Sequence, residues 1–224
     1  MKSILFILFF SFVITPFQAT AGQSDSCHCF RNRSYDPANR FAADDYLLTS
    51  SFNALIAATL QVSKKQIVMM KMKGGVDPDT LLAALYIASI TKMPVNVLLA
   101  IHGSGTSWQT ILNDPARQEL TQNNPVLAQI AAGTTTENTT RLVTNTMLGS
   151  WYQAEEERIN SLRKTDFSNK EIALLFALQQ QTKTPIPDLT VMYRQGRMSW
   201  SEICHQFKLS PAAVGKNILS TVSG

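Results

Sequence analysis

Apolar residues recur along this chain at the spacing of amphipathic helices. After Asp36-Pro37, a helix-opening pair, Phe41, Leu47, Leu48, Phe52, Leu55, Ile56 and Leu60 keep to a helical period. Ser63 then caps a helix through Ile67, Val68, Met70 and Met72, which Gly74-Gly75 stops. Asp77-Pro78 opens the next helix, Leu81 to Ile90, and Pro94 opens another through Leu99. Gly103-Ser104-Gly105 reads as a turn, after which Ser107 caps a short helix carrying Trp108 and Ile111. Residues 113–140 are rich in Asn, Thr, Gln and Gly; Pro125 to Ala132 forms a short helix there, and Gly133 to Thr140 a linker. A single long amphipathic helix follows, with Leu142, Val143, Met147, Trp151, Ile159 and Leu162. Sustained alternation of apolar and polar residues is missing throughout, so the predicted fold class is all-α.

The pattern repeats itself. Asp77 to Leu112 aligns with Ser168 to Ile203: Thr91-Lys92 and Pro94 recur as Thr182-Lys183 and Pro185, Leu98 as Leu189, and Gly105 as Gly196. After a shift of one residue, Ser107-Trp108 with Ile111 recurs as Ser199-Trp200 with Ile203. A fixed offset of this kind is the mark of a duplicated supersecondary unit. It predicts two related helical lobes, 38–112 and 140–224, joined by the polar linker 113–139. An aromatic at a repeated position is usually a packing anchor, because it buries a large area. Trp108 and Trp200, with Ile111 and Ile203, are accordingly expected in the core.

The N-terminus changes the picture of where the protein works. Lys2 precedes an apolar run from Ile4 to Ile14, Thr15-Pro16 breaks it, and Ala19-Thr20-Ala21 fits a signal-peptidase site. Residues 1–21 are therefore expected to be a signal peptide, leaving Gly22 as the mature start. The run is too short to span the ~20 residues of a hydrocarbon core, and no later segment is apolar enough to do so. The protein is expected in the periplasm or outside the cell. Losing Lys2 lowers the formal charge from +4 to +3, too small an excess to argue for nucleic acid or anionic lipid. Asn32-Arg33-Ser34 and Asn138-Thr139-Thr140 would be glycosylation acceptors in a eukaryotic host.

Residues 196–219 resemble a helix-turn-helix unit, with Ile203 and Phe207 on the first helix, Leu209 in the turn, and Val214 and Ile218 on the second. Residues 56–73 repeat the spacing more weakly, matching Ala57 to Cys204, Leu60 to Phe207, Ser63 to Ser210 and Ile67 to Val214. The resemblance implies a recognition helix in a DNA groove, with Lys64, Lys65, Lys71 and Lys73 on phosphates in one unit and Lys208 and Lys216 in the other. Two short helices joined by a tight turn also pack together in many helical arrays, and export removes the chain from the chromosome. DNA binding therefore ranks behind the other readings.

Cys27-His28-Cys29, in the polar segment 22–37, is the most chemically suggestive group. Thiolate and imidazole ligate zinc and copper, so these three residues are the candidate metal ligands. The spacing is not that of c-type haem, C-x-x-C-H, and is tighter than the C-x-x-C of structural zinc sites. Cys204-His205 could converge with them on one ion. A disulfide among Cys27, Cys29 and Cys204 is the competing fate in an oxidising compartment, although Cys204 occupies the small core slot that Ala57 fills in the matching unit.

Other candidates have simpler structural explanations. His102-Gly103-Ser104-Gly105 is not a nucleophile elbow, and its counterpart Arg194-Gln195-Gly196 keeps neither His nor Ser. Asp44-Asp45 and Asp77 with Asp79 sit where helix N-termini favour carboxylates. Glu155-Glu156-Glu157 fits a solvated helix face, and Met69, Met70 and Met72 fit core filling better than a copper site. The expected function is thus an exported helical binding or scaffolding protein of the bacterial envelope, engaging a protein or peptide partner and needing no cofactor. The rival is a metal- or thiol-dependent redox protein built on Cys27, His28 and Cys29 and holding zinc or copper. DNA binding and a hydrolase using Asp44, Asp45 or the Glu155 to Glu157 run are the remaining alternatives.

Overall fold

The computed structural model describes residues 30–220, and within them the chain is all-helical, with no strand. The predicted signal segment 1–21 and the Cys27-His28-Cys29 group lie outside the described residues. The first helices are α1 (Asp44–Leu60), α2 (Lys64–Gly74), α3 (Pro78–Thr91), α4 (Val95–Gly103) and α5 (Trp108–Leu112). A 3-10 turn (Pro115–Arg117), α6 (Gln118–Asn123) and α7 (Pro125–Ala131) follow, then α8 (Thr136–Tyr152) and α9 (Glu156–Lys164). The chain closes with α10 (Asn169–Thr182), α11 (Ile186–Arg194), α12 (Trp200–Gln206) and α13 (Pro211–Ser220). No helix among the described residues is long and apolar enough to cross a membrane.

The aligned stretches form two three-helix runs, α3-α4-α5 and α10-α11-α12, whose corners are built alike. Thr-Lys-x-Pro is a helix stop followed by a restart. Lys92 and Lys183 take left-handed backbone, φ 60° and 62°, and return their N–H to Ala88 and Gln179. Thr91 and Thr182 donate Oγ1–H to Ile87 and Leu178. The same hydroxyls accept the N–H groups of Met93 and Thr184. The prolines keep the preceding residue out of helical backbone, so the chain must turn before it coils again. Further on, Ser107 and Ser199 cap α5 and α12.

The repeated glycines serve different ends. Gly105 sits at φ 96°, where only glycine is comfortable, whereas a Cβ on Gly196 would lie 2.5 Å from the Met192 carbonyl oxygen.

The two turns with helix-turn-helix spacing also match in detail. Gln61 and Lys208 are left-handed (φ 55° and 58°), and Val62 and Leu209 donate their N–H to the carbonyls of Ala57 and Cys204. Ser63 and Ser210 then accept the N–H groups of Gln66 and Ala213. This is the Schellman-type closure that ends many helices. The most extensive helix contact in the molecule is α13 on α1, which occupies the apolar side of α13 at Val214 and Ile218.

The core does not divide where the sequence suggested a linker. Leu47 and Ile56 of α1 share one apolar cluster with Leu127 of α7, Leu148 of α8, Leu175 of α10 and Val214 of α13. Residues 113–139, expected to be a linker, are largely helical. Asp114, Asn124 and Thr135 cap the 3-10 turn, α7 and α8, and Leu127 and Ile130 are buried. Thr121 and Asn113 complete the packing by bonding the carbonyls of Leu112 and Ala131. The polar residues that suggest a linker are spent on caps and internal bonds.

Left-handed lysine at a helix stop costs free energy that glycine does not. Lys92→Gly keeps the corner's backbone bonds and relieves this strain. It should stabilise the fold by about 0.5–1 kcal/mol in denaturant unfolding.

Candidate functional site

The predicted long helix from Leu142 to Leu162 is in fact two. Gln153 turns left-handed (φ 54°) and its N–H returns to the Leu148 carbonyl, which ends α8. Glu155 is extended, and α9 starts beyond it. This break opens a groove of about 590 Å³ between the end of α8, the start of α9 and the C-terminal half of α10. Its floor is aromatic. The rings of Tyr152 and Phe176 stack with centroids 6.0 Å apart and 19° between planes, and the Arg158 guanidinium lies 5.6 Å from the Phe176 ring centroid. Gln153, Gln179, Gln180 and Lys183 supply the polar rim.

Two residues that line this groove each carry a buried polar atom with no hydrogen-bond partner among the described residues, Trp151 Nε1 and Tyr152 Oη. Burial also raises the Tyr152 hydroxyl above its ordinary value. Both atoms are closed off from the groove surface, so what lies in the groove meets the exposed amide rim and the aromatic faces and not these two donors. A second cavity, of about 350 Å³, continues along the same face of α9. It shares Arg158 and is lined by Leu162, Phe167, Ile186, Pro187 and Arg194. Arg194 is already engaged there, 4.4 Å over the Phe167 ring and bonded to the Thr165 carbonyl. The two cavities together form a trough with a polar and an apolar end.

The residues singled out in the sequence lie elsewhere. Trp108 and Trp200 are 7% and 1% exposed, and Ile111 and Ile203 are buried beside them. Each indole carries a stacked ring, His102 on Trp108 and Tyr193 on Trp200, both at 4.0 Å between centroids. Only the second pair is anchored by a carboxylate. Glu171 accepts from Tyr193 Oη at 3.1 Å and Trp200 Nε1 at 3.3 Å, while Thr80 stands at the aligned position and Trp108 Nε1 has no partner. His102 turns its Nδ1 to the Thr106 carbonyl, 2.9 Å away, as part of a turn.

Cys204 is a free, fully buried thiol, and burial, with a smaller contribution from Asp44, pushes it up to about 12. Neighbouring His205 points outward and stacks on Tyr35 at 4.8 Å, so the two residues do not present one ligand face. Among the described residues, no group of three or more His, Cys, Asp or Glu could hold a metal ion. Cys27, His28 and Cys29 are not among them.

The lysines expected on phosphates divide. Lys65 and Lys73 are exposed, but Lys64 reaches Ser50 Oγ (2.8 Å) and Lys71 reaches Asn53 Oδ1 (2.9 Å). Both are drawn inward because α1 offers them oxygen acceptors. Asp44, expected at a helix N-terminus, does begin α1, but its carboxylate accepts the N–H groups of Trp200 and Ser201 at 3.0 and 2.8 Å. Desolvation by burial raises its pKa despite those bonds.

Burial lowers Lys71 to about 8, with Lys170 pushing the same way and Asp79 and Asp77 opposing. The unfolded chain then binds more protons than the folded one between about 8 and the ordinary 10.5, so stability rises with pH across that window. Relative to Lys71→Met, the wild type should gain on the order of 2 kcal/mol between pH 7.5 and 9.5. Unfolding curves of both proteins at each pH check it. Cys204→Ala should cost on the order of 1 kcal/mol and be insensitive to reductant, as for one small buried group. A bridge would cost ~2–5 kcal/mol and respond to reductant.

No protein-family model, no curated protein and no solved structure matches this chain, so what the trough holds must be argued from its own residues.

Proposed function

We propose that the chain is an exported, non-catalytic binding protein of the bacterial envelope, and that it holds a peptide or protein partner in the trough beside α9. The observation that carries this is a groove with an aromatic floor and an amide rim, adjoined at Arg158 by an apolar cavity. Such a surface offers stacking and hydrogen bonds together, which suits recognition rather than bond making. The matched corners of α3-α4-α5 and α10-α11-α12 support descent from one duplicated unit, and α10 and α11 of the second run contribute one wall of the trough. The apolar N-terminal run and its small-x-small ending support export.

The three tryptophans provide a built-in test. Protein purified from the envelope fraction should begin at Gly22. Titrated with fractionated envelope extract, its Trp151 indole N–H resonance should move, while those of Trp108 and Trp200, stacked in the core, stay in place. Movement of the core indoles alone, or of none, would overturn the proposal.

A further inference from the structure

We infer that the trough takes an extended peptide segment that carries an acidic side chain beside a large aliphatic one. This rests on the trough being the binding site, and it follows from the order of groups along α9.

Glu155, Arg158, Leu162 and Thr165 recur every three or four residues and border the two cavities in succession. From Glu155 to Thr165 that face measures about 15 Å at the rise of an α-helix. An extended peptide of about five residues has the same length. The lining changes chemistry along that length. At one end, Gln153, Gln179 and Gln180 present amides, each able to donate and accept at once, as a peptide backbone requires. At the other, Leu162, Phe167, Ile186 and Pro187 enclose about 350 Å³, room for one branched aliphatic side chain. A glycan offers hydroxyls to the first end, but an N-acetyl methyl is a far smaller apolar branch for the second than a leucine side chain.

Charge fixes the remaining feature. The lining carries Arg158, Lys183 and Arg194 against the single carboxylate of Glu155. Arg194 is committed to Phe167 and Thr165. Among the described residues, Arg158 and Lys183 have no ion-pair partner. Arg158, at the junction of the cavities, is held by its approach to Phe176, and its guanidinium is suited to a bidentate carboxylate. The acid of the peptide therefore sits next to its aliphatic residue.

The probe is a pool of acetylated, amidated pentapeptides, each with one Asp and one Leu at every spacing in a Gly/Ser background, titrated into labelled full-length mature protein. The Trp151 indole and the backbone signals of Arg158 and Leu162 should move. Pools with Asn for Asp, or Ser for Leu, should bind at least about tenfold more weakly. Arg158→Gln should bring the Asp and Asn pools to equal affinity while leaving the Leu preference intact. Equal binding of the Asp and Asn pools to the wild type would overturn the acidic assignment, and equal binding of the Leu and Ser pools the aliphatic one. If a tetramer of N-acetylglucosamine moves the Trp151 signal and no peptide pool does, the trough remains a binding site but the peptide assignment is wrong. If no probe and no envelope fraction moves it, both inferences fail.

Discussion

Helix α1 is enclosed by its neighbours over most of its length, yet it carries Asp44, Ser50, Ser51 and Asn53 among its buried residues. Polar groups removed from water must find partners in the fold, and three of these four determine how other helices sit. Asp44 receives the first N–H groups of α12, Ser50 the Lys64 ammonium and Asn53 the Lys71 ammonium. A slip of α1 by one residue would break all three at once. The same seam sets how closely α13 approaches, since a Cβ on Gly215 would lie 3.1 Å from Ser50 Oγ and 3.2 Å from the Ser50 carbonyl oxygen. Close approach and polar satisfaction are thus one constraint. It fixes α2, α12 and α13 around a single helix.

That constraint reaches the trough through α10. Besides α13, α10 is the helix most extensively packed on α1, and its far end supplies Phe176, Gln179 and Lys183 to the groove. The left-handed Lys183 then turns the chain so that Ile186 and Pro187 of α11 line the second cavity. Glu171 holds the other end of this wall by joining Tyr193 of α11 to Trp200 of α12, whose first turn is tied back to Asp44. The placement of the wall formed by α10 and α11 therefore traces back to α1.

What could be read in the sequence was what local chemistry decides. Thr-Lys-x-Pro announces a helix stop, serine before tryptophan announces a cap, and the match of Cys204 to Ala57 places the thiol in a small core slot, where it is 0% exposed. What could not be read depends on partners distant in the chain. Trp151-Tyr152-Gln153-Ala154-Glu155 contains no glycine, proline or capping residue, and the apolar period runs through it from Met147 to Ile159, so nothing local announces the break at Gln153. Lys71 looks like a surface cation because lysine usually is one; only Asn53, eighteen positions earlier and on another helix, turns it inward. Residues 113–139 look like a linker because threonine, asparagine and aspartate are counted as polar, whereas Asp114, Asn124 and Thr121 spend that polarity on backbone groups.

The opposite wall of the trough is held in a different way. Helix α9 buries one residue completely, Ile159, and its main polar anchor is Arg163, which donates to the side-chain oxygens of Asn145, Asn160 and Asn169. Desolvation lowers the pKa of that guanidinium, and its partners are neutral amides rather than a carboxylate. Two neutral acceptors on other helices, Asn145 and Asn169, orient α9 without adding negative charge beside Arg158, so the trough keeps its cationic lining. A wall with little buried apolar area is also the one that opens at least cost, because local opening free energy follows the contacts that must be broken. The trough thus has one wall fixed through α1 and one held mainly by Ile159 and Arg163.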